Sequence, residues 1–129
     1  MRLVNPYLIF LKKYDIIYLY KIKKGMIRMP KLVAAAIKFK PLDSEYYQIM
    51  CGKRHCNVLE LMYKHGLDYH KVGAIQGFLT DDDQFVDRYD AAQMAFRSGQ
   101  MLKDSDIYKK MSKDQEHINA YPLFSEDVW

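Results

Sequence analysis

The chain has 129 residues, half of them hydrophobic, with two cysteines and a formal net charge of +4 at pH 7. That length supports one domain with its own core, and two cysteines cannot form the disulfide framework of a small secreted scaffold. The charge is uneven: residues 1–28 hold Arg2, Lys12, Lys13, Lys21, Lys23, Lys24 and Arg28 against the single acid Asp15, so the remainder is mildly acidic and a nucleic-acid partner is poorly supported.

The opening segment is read separately. Its apolar stretches, Leu3 to Leu11 and Ile16 to Tyr20, are broken by Pro6 and by Lys12-Lys13, too short for a spanning helix of roughly 20 residues. No small-residue cleavage site follows, so a signal peptide is not expected either. Asp15 to Lys23 alternates like an edge strand. Equally, Met26 and Met29 follow Lys23-Lys24-Gly25, residues whose purine-rich codons can encode a ribosome-binding site, so the true start could be Met1, Met26 or Met29. Residues 1–28 are therefore expected to be an N-terminal extension, untranslated or loosely attached.

From residue 29 the pattern is regular. Leu32 to Lys40, an apolar run bounded by Pro30 and Pro41, predicts a buried strand. Tyr46 to Cys51 predicts a second, ending at Gly52. Val58, Leu61 and Met62 repeat at helical spacing within Cys56 to His65, and Gly66 closes that helix. Ile75, Phe78 and Phe85 flank the polar run Thr80 to Gln84, whose aspartates favour a reversal, so a hairpin is expected there. Asp87 then caps a helix over about residues 88 to 98, with Asp90 three residues on and Gly99 as its stop. Ser105 to Ala120 reads as no more than a mobile surface helix, and Tyr121 to Trp129 as an apolar tail docked on the body. The order β, β, α, β, short β, α predicts a single α+β domain over 29–129, with a small mixed or antiparallel sheet covered by two helices. Eleven tyrosines in a core of this size make a homodimer plausible.

Several of these stretches also carry a resemblance. Val33-Ala-Ala-Ala-Ile-Lys-Phe, Arg54-His55, Gln76-Gly-Phe-Leu-Thr with Gln84-Phe-Val-Asp-Arg88, Ala91-Ala92, Gly99-Gln100 and the terminal Leu123-Phe-Ser-Glu-Asp-Val-Trp129 resemble a family of small bacteriophage and prophage proteins from Lys31 onward. The chain departs from that pattern at Cys56, at Asp82-Asp83 and at Tyr89-Asp90. Cys56 in place of a second histidine weakens any idea of paired-histidine chemistry. The resemblance implies a phage accessory protein rather than a virion part, and no reaction.

No catalytic motif occurs, so candidate residues come from charge placement. Lys53, Arg54 and His55 stand where a strand ends and a helix begins, and Arg88 lies in the first turn of the next helix. Free N–H groups and the macrodipole favour an anion at both places, and a cation there is mildly unfavourable. Gln76, Gly77 and Gln100 extend the candidate ligand site: a glutamine beside a glycine offers donor and acceptor groups to a base or amide edge. The competing structural roles are Arg88 paired with Asp87, Glu126 or Asp127, Gly77 as a bulge, Gln100 as a partner of helix C-terminal carbonyls, and Phe124 and Trp129 as core anchors rather than stacking platforms. Cys51, Cys56, His65 and His70 match no zinc spacing, so neither a metal nor another cofactor is expected.

The reading that follows is a cytoplasmic phage accessory protein, off the membrane, that binds a phosphorylated, nucleotide-like small molecule without turnover. The alternatives are a small hydrolase or transferase with His55 as acid or base, and a protein that caps a host enzyme.

Overall fold

The computed structural model describes residues 24, 25 and 28–129. Most of the opening segment, including the edge strand expected over Asp15 to Lys23, lies outside the described residues.

Among the described residues, seven strands and α-helices follow in chain order: β1 (Leu32–Phe39), β2 (Gln48–Gly52), α1 (His55–Lys64), β3 (Ile75–Thr80), β4 (Phe85–Asp87), α2 (Arg88–Ser98) and α3 (Asp106–Lys113), with short 3-10 turns at Gln115–Ala120 and Ser125–Asp127. The strands form one four-stranded sheet in the order β2-β1-β3-β4, and every pairing is antiparallel. This is the α+β arrangement expected from the sequence, with the sheet resolved as wholly antiparallel.

Side chains that oppose each other across an antiparallel sheet share a face. Ala35, Phe78 and Val86 line up in this way across three strands, and all three are buried. The helices cover that face. Val58 and Met62 of α1 join Ile37, Phe39 and Val72 in one apolar cluster. Ala91, Ala92, Met94 and Ala95 of α2 join Phe78, Val86, Met111 and Leu123 in another.

Local chemistry sets the ends of α2. The Asp87 carboxylate accepts a hydrogen bond from the Asp90 N–H at 2.8 Å, and Gly99 takes the left-handed conformation at φ 78°, where a side chain would be strained. Before β1, Arg28 forms an ion pair with Asp81 in the β3–β4 turn, and the Asp81 N–H donates to the Lys31 carbonyl at 2.8 Å.

The chain after Gln100 is more firmly packed than its composition predicts. The expected mobile surface helix is instead α3, docked through Ile107 and the fully buried Met111. These two residues, four apart, lie on one helical face. Two contacts suffice because the neighbouring surface, including Met101 and Leu123, belongs to the same cluster. In the tail, Leu123, Ser125 and Val128 are buried.

Candidate functional site

The N-termini of α1 and α2 both meet the chain at residues 76–78 of β3. His55, the first residue of α1, is 7% exposed and lies 2.7 Å through Nε2 from the Gly77 carbonyl. A carbonyl can only accept, so Nε2 carries the proton and the neutral ring has its lone pair on Nδ1. The imidazole also stands edge-on to the Phe78 ring, with centroids 5.1 Å apart.

Arg88, the first residue of α2, reaches back along the hairpin and donates from Nη2 to the Gln76 side-chain oxygen. The Gln76 amide in turn donates to the Tyr69 hydroxyl at 3.3 Å. The guanidinium lies over the Phe124 ring, 4.3 Å from its centroid, a cation–π contact that fixes its plane. Arg54, at the N-cap of α1, places Nη1 3.9 Å from a Glu126 carboxylate oxygen. That nitrogen is buried and makes no hydrogen bond.

The tail closes the remaining side. Trp129 donates its indole N–H to the Lys53 carbonyl at 2.7 Å and stands edge-on to Phe78 at 6.0 Å. The Leu123 N–H donates to the Arg88 carbonyl at 3.0 Å. Trp129 therefore anchors the tail, and Lys53 contributes its main chain to that anchor.

Arg54, His55, Gln76, Gly77 and Arg88 are thus brought together, whereas Gln100 does not join them. Its side-chain oxygen accepts from the Leu32 N–H at 2.9 Å and its amide donates to the Leu32 carbonyl. Leu32 pairs with Thr80, three residues along β3 from Gly77, or about 10 Å. Gln100 therefore clasps the start of β1. Its side chain completes backbone pairing there, away from the candidate site, while its backbone N–H donates to the Ala95 carbonyl of α2 at 3.0 Å, the helix C-terminal partner expected for it.

Gly77 likewise has a packing reason. A Cβ on it would lie 2.1 Å from the Val86 carbonyl and 2.6 Å from the Phe85 ring, so the residue permits close approach of β4. The bulge considered for it falls instead in β1, between Leu32 and Ala34. The role of Tyr69 has no signal in the sequence, because the stretch between α1 and β3 offers no spacing that marks it.

Burial is the main cause that lowers the His55 pKa. The Gly77 hydrogen bond opposes this, the nearby Arg88 charge adds to it, and Glu126 opposes it. Burial also lowers the Arg88 pKa, against the stabilising influence of Tyr69, Glu126 and Asp127. Glu126 therefore acts on both His55 and Arg88.

Unfolded histidine titrates near pH ~6.5, so the stability gained by keeping His55 neutral is complete above that pH and is lost as pH falls from there towards the lower folded value. The wild-type melting temperature should fall more steeply from about pH 7 to about pH 5.5 than that of His55→Gln. Parallel melting curves for the two proteins would refute this assignment.

Among the described residues no group of three or more His, Cys, Asp or Glu side chains could hold a metal ion, and Cys51 and Cys56 are free thiols. No described helix is long and apolar enough to cross a membrane.

Fold and site together define a small α+β protein in which two helix N-termini present arginines beside the middle of an open antiparallel sheet. The model of the family described as Phage T4 y16D protein matches residues 31–129, and the chain belongs to that family. No match was found among curated proteins or among solved structures.

Proposed function

We propose that this phage protein binds the phosphate of a small, nucleotide-like molecule at the seam between α1 and α2, without turnover and in the host cytoplasm. The carrying observation is the convergence of Arg54, His55 and Arg88, with a buried Arg54 nitrogen that makes no hydrogen bond. Two arginines at helix N-termini work against the macrodipole, and an anion between them would reverse that cost. Arg88 is already held by Gln76 and Phe124, so it loses little freedom on binding. His55 uses its Nε2 proton on Gly77, which supports a positioning role over proton transfer to a substrate.

Native mass spectrometry tests this reading. The protein, expressed from Met1 and from Met29, is measured with and without small-molecule extract of infected cells. A bound nucleotide-like mass that disappears in the Arg54→Ala plus Arg88→Ala variant is the expected result, and the same spectrum gives the subunit count and tests for a homodimer. A ligand that is consumed rather than retained would favour the hydrolase or transferase. Bare protein in every extract would sink the ligand and favour capture of a host protein, a reading to which the half-exposed Phe124 and Tyr89 lend some support.

A further inference from the structure

Within the proposed anion site, one negative group already faces the positive ones. Glu126 places its carboxylate 3.9 Å from Arg54 Nη1, and its charge also reaches His55 and Arg88. The contact is one of charge alone, because Arg54 Nη1 makes no hydrogen bond. The backbone beneath is fixed: Ser125 is 1% exposed, its carbonyl accepts from the Trp129 N–H at 3.2 Å, and its hydroxyl lies 3.3 Å from Glu126 Oε1. The Glu126 side chain itself is 69% exposed. It can leave Arg54 by rotating into water, with no change in the fold.

Resting on the reading of this seam as an anion site, we infer that Glu126 is a built-in counter-anion that occupies Arg54 until a ligand phosphate displaces it. The contact holds the empty site closed to weak anions and lowers its affinity by the strength of one exposed ion pair. Glutamine at 126 keeps the size of the side chain and removes the competing charge.

The test uses inorganic phosphate as the probe at pH 8, followed by NMR through the indole N–H of Trp129, which is bonded to the residue beside Arg54. Glu126→Gln should bind phosphate about fivefold more tightly than wild type, the size of an exposed ion pair. In an Arg54→Gln background the same substitution should give no gain, which isolates the pair from its surroundings. Glu60→Gln changes net charge equally at a distant pair with Lys64 and should leave the affinity unchanged.

Three outcomes overturn the inference alone: equal affinity of Glu126→Gln and wild type, the same gain from Glu60→Gln, or a gain that persists without Arg54. If phosphate moves the indole signal in none of the proteins, the anion site falls and the inference with it. A gain that persists without Arg54 would show that Glu126 acts by general repulsion and not as the counter-anion of that residue.

Discussion

Phe78→Ala should destabilise the domain by about 3–5 kcal/mol, the range for removing a buried aromatic ring. Phe78 is fully buried, lies between Ala35 and Val86 on the covered face of the sheet and belongs to the larger apolar cluster. Its surroundings cannot collapse into the space easily. The strand neighbours are fixed by ladder hydrogen bonds, and the two rings beside it, His55 and Trp129, are held by their own bonds to Gly77 and Lys53. For a domain near 100 residues that loss corresponds to a fall in melting temperature of roughly 15 °C or more. Calorimetry measures it, and a fall under about 5 °C would show that the cavity is filled by rearrangement. The functional reading adds a second effect: His55 and Trp129 lose the ring between them, so phosphate affinity should fall together with stability.

Gly77→Ala is expected to cost about 3 kcal/mol, at the upper end of overpacking. The added methyl would sit 2.1 Å from the Val86 carbonyl oxygen and 2.6 Å from the Phe85 ring. A ring can rotate aside; a backbone carbonyl in a paired strand cannot move unless the strand moves. Since β4 is only three residues long, relief of the contact displaces all of it, and with it Asp87, which caps α2. Hydrogen exchange should therefore show early opening of the β3–β4 pairing and of the first turn of α2, while β1 and β2 stay protected. Uniform protection in the variant, or a melting temperature within about 2 °C of wild type, would contradict the close-approach role.

The parts of this architecture that were legible in the sequence are those with local causes. Asp87 and Gly99 fix α2 through chemistry within a turn of each end, and the alternation of apolar runs with turn residues marks β1 and the hairpin. The strength of α3 was not legible, because docking of Ile107 and Met111 depends on a surface built by residues from elsewhere in the chain. The site divides in the same way. Arg54 and Arg88 stand out through a local anomaly, positive charge at helix N-termini. The use of Gln100 on Leu32 spans 68 residues, and no periodicity encodes such a contact. Tyr69 and Phe124 gain their roles only when the hairpin and the tail come to rest against Gln76 and Arg88.

The bond between the Trp129 indole and the Lys53 carbonyl joins positions 76 residues apart, and closing so long a loop costs conformational entropy before its contacts repay it. The sheet can form from nearer segments, whereas the seam between the two helices is complete only once that loop has closed. Completion of the seam during refolding should therefore lag behind formation of the sheet, and the phosphate affinity proposed for it would be the last property the chain acquires.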